Sequence, residues 1–148
     1  MAFAASSIAY ETLRKDGKID AFPLGHIKAN QGDILLIKGS DGYAYPAYSP
    51  TSTGDVFAGV AYETVDNSAG NPGDLYVRSS MDGEHVFLIG ATTRALAVGK
   101  AVYLDETANP NSVTLTAGAH AVVIGYVTDL VSSTQVRVRI APFVTPAA

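Results

Sequence analysis

Acid–base or metal chemistry in this chain would have to come from His26, His85 and His120 together with its carboxylates. The 148-residue sequence contains no cysteine. That removes thiolate nucleophiles, cysteine-ligated zinc and disulfides at once. None of the three histidines has a second one three or four residues away, the spacing that places two imidazoles on one helix face. Asp82, Glu84 and His85 are close enough in sequence to suggest an acid–base trio, but Gly83 among them signals a turn leading into a strand. Residues 105–111 (DETANPN) offer oxygen ligands to a hard cation, yet lack the alternating acidic positions and central glycine of a calcium loop, and read as a solvated hairpin turn. Phosphate-binding glycine loops, the zinc-protease motif and the nucleophile elbow are absent. The expectation is no catalytic residue, no metal ligand and no cofactor. An enzyme reading would require Asp82, Glu84 and Asp105 to converge, and nothing in their spacing favours it.

Tyrosine is the other residue type that stands out, with eight copies and no tryptophan. Tyr43, Tyr45 and Tyr48 lie close together, and Tyr43 and Tyr45 share a face if their segment is a strand. Tyrosine brings a large contact area with a polar tip and is enriched at interfaces. Pro46 and Pro50 deny this stretch the donors of a central strand, so it must be an edge or a protruding loop. These three tyrosines are the candidate interface.

The elements that must position these residues are strands. Segments 34–38, 43–45, 56–65, 75–79, 85–89, 101–104, 113–116, 121–131 and 135–140 are short and rich in β-branched and aromatic residues. Glycine, proline, asparagine and aspartate punctuate them, with turns expected at 40–42 and at Asp82-Gly83. Residues 66–74 (DNSAGNPGD) read as an exposed loop. Before residue 30 the signals are weaker. Residues 6–14 carry a short helix signal, but Asp16-Gly17 between two alternating runs favours an extended arm ending in a hairpin.

Self-similarity organises the strands. ANQGDILLIKGSDGYAY from Ala29 resembles ALAVGKAVYLDETANPNSVTL from Ala95, pairing Gly32 with Gly99. DVFAGVAYETV from Asp55 resembles AVVIGYVTDLV from Ala121, pairing Gly59 with Gly125, and each copy closes on a Val-Arg strand. Glycine inside a long β run marks a bulge or a close backbone approach, and glycine just before a strand marks a turn with positive φ. The expected fold is therefore all-β, a small β-sandwich or barrel built from two similar β units, with an extended N-terminal arm. Its expected organisation is an arm over residues 1–24, one β domain over 25–141 with repeat copies at about 29–79 and 95–140, and a flexible tail over 142–148.

Composition narrows the partners. Only 16% of residues are charged, against about 25% in an average soluble domain, while 47% are hydrophobic. A surface so poor in charge suits burial against other proteins. Net charge is −4, and the ten basic residues are scattered rather than clustered, so no nucleic-acid partner is expected. No membrane partner is expected either, since no run approaches about 18 apolar residues and the start has no basic region followed by an apolar one.

GKAVYLDETANPNSVTL, VVIGYVTDL and TQVRVRI together resemble the C-terminal half of small capsid cement (head decoration) proteins of tailed bacteriophages. The shared pattern is a G-[DK]-x-V-Y-x-D strand and turn, an I-G-[YV] strand and a final V-R-V-R strand. QGDILLI with VFAGVAYE resembles the family's earlier strands, and the likeness spans roughly residues 27 to 141. The resemblance implies a β-rich structural virion protein without enzymatic activity. It implies binding to the major capsid protein on the outside of the shell, near local three-fold axes, and self-association, often as a homotrimer. It also implies synthesis in the host cytoplasm and a clamp that helps the shell resist packaged DNA. It assigns no individual binding residue. The rival from another class is a tail- or fibre-type β module whose Tyr43, Tyr45 and Tyr48 stack on carbohydrate.

Overall fold

The computed structural model describes residues 18–47, 51–106 and 111–144. Twelve strands and one short helix follow in order: β1 Ile19–Pro23, β2 Lys28–Ala29, β3 Ile34–Ile37, β4 Ala44–Pro46, β5 Val56–Ala61, β6 Val65–Asp66, β7 Tyr76–Ser80, β8 Glu84–Ile89, α1 Arg94–Ala97, β9 Ala101–Leu104, β10 Ser112–Thr114, β11 Val123–Ser132 and β12 Gln135–Ile140. The fold is nearly all β, as the strand signals predict.

The strands form two units of the same design. In the second, β8, β12, β11, β9 and β10 close into a barrel, sealed where β10 runs parallel to β8. In the first, β1, β7, β5, β3 and β4 follow the same order, and a parallel bridge between Leu24 and Ala44 joins the two ends. The registers agree position by position. Ile34 faces Val60 as Ala101 faces Tyr126, and Leu36 faces Phe57 as Tyr103 faces Val123. Ile37 faces Ala44 as Leu104 faces Val113, and Ala61 faces Ser79 as Val127 faces Val138. The sealing contacts correspond too, Leu24–Ala44 to Ile89–Val113.

The paired glycines explain why both copies share this shape. The pairing slips at the same place in each, beside Gly59 between β3 and β5 and beside Gly125 between β9 and β11. Gly59 sits at φ 102°, and a Cβ there would overlap the Ser79 side chain and the Ser80 carbonyl. A Cβ on Gly125 would overlap the Arg139 carbonyl. Such bulges bend and twist a strand, which lets five short strands curl into closure. Gly32 and Gly99 do carry the positive φ expected before β3 and β9, at 92° and 83°.

Two cores result. Leu24, Leu35, Ala44, Ala58, Ala61 and Val77 fill the first unit. Val102, Leu104, Val113, Ile124, Val127, Val136 and Val138 fill the second. That second core also takes in Ile34, Leu36, Phe57 and Val60 from the outside of the first unit. This is why β3 reads as an unbroken apolar run: Leu35 points into its own unit, while its neighbours point at the other one. Hydrogen bonds finish the junction. Asn111 accepts from Ile34 N–H at 2.9 Å and donates to Asp33 Oδ1 at 3.0 Å, and Phe57 C=O accepts from Phe143 N–H at 2.8 Å.

The segment over residues 19–23 and the helix α1 differ from the sequence expectation. Residues 19–23 form β1 and pair with β7 along their whole length, so the chain before residue 25 contributes a strand to the first unit. Residues 1–17, on which most of the expected arm and the 6–14 helix signal fall, lie outside the described residues. The Asp82-Gly83 turn falls where expected, and it hands the chain from one unit to the other, because β7 and β8 pair with different neighbours. The helix α1 had no strong signal. It is a single turn whose Arg94 reaches the Asp129 carboxylate on β11 at 2.7 Å.

Candidate interaction surface

Tyr43 and Tyr45 flank Ala44, which is fully buried inside the first unit, so their side chains share the opposite face. Both are half-buried, and both lie on glycine. The Tyr45 ring covers Gly25 so closely that a Cβ there would overlap it. A Cβ on Gly73 would meet the Tyr43 ring edge at 3.1 Å. The Tyr45 hydroxyl donates to Asp41 Oδ2 at 2.6 Å, and the other oxygen of that carboxylate accepts Tyr43 N–H at 2.9 Å. The bond to Asp41 pushes the Tyr45 phenol up to about 12, with burial adding to the shift. The pair is therefore held rigidly, each ring with one edge toward solvent. Tyr48 lies outside the described residues.

The loop beneath these rings is fixed from within. Asn67, only 2% exposed, shares its two N–H donors among the carbonyls of Leu24, Gly25 and Asn71. Gly73 N–H donates to Leu24 C=O at 2.9 Å, and Asp74 Oδ2 accepts Asn71 N–H at 2.9 Å. Most of the loop is exposed, as its composition predicts, but its backbone is pinned to the end of β1.

A second polar hub sits at the tip of the first unit. Asp55, 1% exposed, accepts from Gly39 N–H at 3.0 Å, Ser52 N–H at 2.9 Å, the Ser52 hydroxyl at 3.1 Å and the Lys38 ammonium at 3.0 Å. Burial works to raise this carboxyl. The backbone donors and Lys38 outweigh it and hold the group below its ordinary value. The hub ties the β3–β4 turn to the loop before β5. Sequence reading missed it, since Asp55 lies 16 and 17 residues from Gly39 and Lys38.

The acid–base candidates serve the framework too. Glu84 accepts from the Thr128 hydroxyl at 2.6 Å and from Arg139 at 3.0 Å, bracing β8 against β11 and β12. His85 Nε2 lies 3.3 Å from Asp82 C=O and 3.4 Å from the Ser80 hydroxyl. Of the candidate histidines and the carboxylates of the 105–111 loop, His120 and Glu106 do meet. Glu106 Oε1 accepts the Thr51 hydroxyl at 2.5 Å and lies 2.6 Å from His120 Nδ1. The same Nδ1 stands 3.1 Å from the Thr51 hydroxyl, so one imidazole nitrogen serves both partners. A proton relay needs the imidazole to bridge acid and hydroxyl with its two nitrogens, and this cluster does not have that geometry. It fastens the first unit to the second. Burial raises the Glu106 carboxyl, but Thr51 and His120 more than offset this and leave it below its ordinary value. Among the described residues no three His, Asp or Glu side chains are grouped to hold a metal, and no buried side-chain nitrogen or oxygen lacks a hydrogen-bond partner.

Several outward-facing strand positions are apolar or aromatic. Val86 and Leu88 on β8 are 49% and 57% exposed, Tyr126 on β11 46% and Tyr76 on β7 58%. Tyr62 carries the Arg78 guanidinium over its ring at 5.2 Å, and Arg78 also pairs with Glu63. Fold and surface together define a two-barrel β protein whose polar side chains brace its turns and whose strand faces turn apolar and aromatic groups outward. The chain belongs to the phage cement protein family, whose model matches residues 15–142 and so spans both barrels. No curated protein and no solved structure matches it. Membership makes it a structural protein of the phage capsid. Among the described residues no helix is long and apolar enough to cross a membrane.

Proposed function

We propose that this protein binds the outer surface of its phage's capsid and stabilises the shell. The observation that carries this reading is the family match over residues 15–142. The outward Val86, Leu88, Tyr76 and Tyr126 support it, since exposed apolar and aromatic groups on a charge-poor surface suit protein contact. The mechanism is mass action. A clamp that binds the mature lattice and not a loosened one adds about 2.7 kcal/mol per site when its free concentration is 100 times Kd. Self-association into a homotrimer multiplies this through avidity when one assembly holds several capsid subunits. Tyr43 and Tyr45 fit a contact role as preset anchors, because their rings are already immobilised on Gly73 and Gly25. Residues 1–17, which precede the first barrel, act as an additional arm on the capsid or a neighbouring copy.

The test is co-sedimentation with purified expanded capsids. Saturable binding that raises the capsid's thermal or osmotic disruption threshold supports the reading, and absence of binding at micromolar protein refutes it. Deleting residues 1–17 should weaken binding while leaving the thermal melt of the barrels unchanged. Equal binding by the truncated chain would remove the arm from the account.

A further inference from the structure

The matched registers show what covers each barrel's outer face, and one face is left over. Ile34, Leu36, Phe57 and Val60 on β3 and β5 correspond to Ala101, Tyr103, Val123 and Tyr126 on β9 and β11. The first four are at most 6% exposed. They are covered by one end of the second barrel, the end that carries the β9–β10 turn with Asn111, Glu106 and His120. The corresponding four are also apolar or aromatic, yet Ala101 and Tyr126 are exposed and Tyr103 and Val123 only half-buried. The equivalent end of the first barrel, the β3–β4 turn over residues 39–42 with residues 52–54 beside it, is exposed as well. It is built of small residues such as Gly39, Ser40, Gly42 and Gly54, and the buried Asp55 hub holds it in one shape. Among the described residues, each chain thus carries an uncovered face and an uncovered end of the kinds that meet inside it.

We propose that the β9–β11 face of one copy docks on the β3–β4 end of the first barrel of a second copy, repeating between chains the packing that joins the two barrels within a chain. This rests on the self-association proposed above and assigns its surface. The contact is head-to-tail, so each copy uses one face and one end, and successive copies close into a ring in which every barrel has the same kind of neighbour. An aromatic centre of Tyr103 and Tyr126, set against a rigid turn of small residues, is a composition that binds without ordering flexible side chains.

Light scattering behind a sizing column reads the assembly directly. The wild type should give a multiple of 15.4 kDa, and Tyr126→Glu should fall to 15.4 kDa with an unchanged circular dichroism spectrum. Ala101→Glu, also at an exposed position, decides the matter if Tyr126→Glu does not fold. Orientation is read with single cysteines, since the chain has none of its own. Ala101→Cys mixed with Ser40→Cys should give a cross-linked pair with a short bis-maleimide, while neither variant alone does. A monomeric wild type, an unchanged mass in the glutamate variants, or cross-linking of Ala101→Cys to itself overturns the proposal. These measurements need no capsid. A wild type that is monomeric yet still sediments with capsids would overturn this face and leave the cement function standing.

Discussion

Asp55→Asn removes the charge from the hub at the tip of the first barrel while keeping the side chain's shape. The carboxylate is 1% exposed and accepts four hydrogen bonds, one from a lysine that is itself 8% exposed. Breaking one partner of a buried ion pair costs about 3–5 kcal/mol, because the other charge keeps its burial and loses its compensation. Asparagine retains one acceptor oxygen, so the loss should lie near about 3 kcal/mol. For a chain of this size that lowers Tm by roughly 6–12 °C. Urea titration followed by circular dichroism measures it, with the slope unchanged and the midpoint reduced. The pH dependence gives a second check. The folded carboxyl lies below its ordinary 3.8, so its stabilisation is present above that value and disappears as pH falls through the folded one. The gap between wild type and variant should be full at neutral pH and shrink below about pH 3.8. A gap under about 1 kcal/mol at neutral pH, or one that persists undiminished in acid, would refute the assignment of this hub.

Phe57→Ala empties a fully buried site between the barrels and should cost about 3–5 kcal/mol by the same titration. Gly125→Ala must displace the Arg139 carbonyl and should cost about 1–3 kcal/mol, whereas Gly90→Ala, with open space around it, should stay within about 0.5 kcal/mol of wild type. Spectrophotometric titration should find a tyrosine ionising near 12, and Tyr45→Phe should abolish that step. The stabilisation from this raised phenol is whole below its ordinary 10.0 and is lost as pH rises through the folded value. Asn111→Ala leaves Asp33 and Ile34 N–H without their cross-barrel partner and should cost about 1–3 kcal/mol, again read from the urea midpoint.

Much of this architecture is legible because strand signals are local. The β-branched runs from residue 34 onward fall on strands, and the edge position of β4 follows from the prolines around Tyr48. Gly59 and Gly125 give away the repeat because one bulge requires the same residue twice. The strand signals leave sandwich and barrel as alternatives, since closure rests on a parallel contact between residues 20 apart in the first unit and 24 apart in the second. The run after Asp16-Gly17 reads as extended, but its place beside β7 was not legible, because IDAFP carries no signal for so distant a partner. The tyrosine cluster was visible as composition, but its seating on Gly25 and Gly73 depends on where a distant loop returns. The Thr51, Glu106 and His120 cluster spans up to 69 residues, so no spacing rule announces it.

Two barrels with one register raise a question of fidelity while the chain is folding. A strand that strays into its counterpart's slot finds every backbone partner in place, so hydrogen bonding alone does not reject it. Side-chain volume does. Ala44, Ala58, Ala61 and Ser79 line the first interior where Val113, Ile124, Val127 and Val138 line the second. Ile124 in the space of Ala58 would be badly overfilled, and Ala58 in the space of Ile124 would leave a void. Tandem copies are prone to misassembly of this kind. The unequal interiors act as a proofreading device, letting the chain keep one backbone plan twice while each half recognises its own strands.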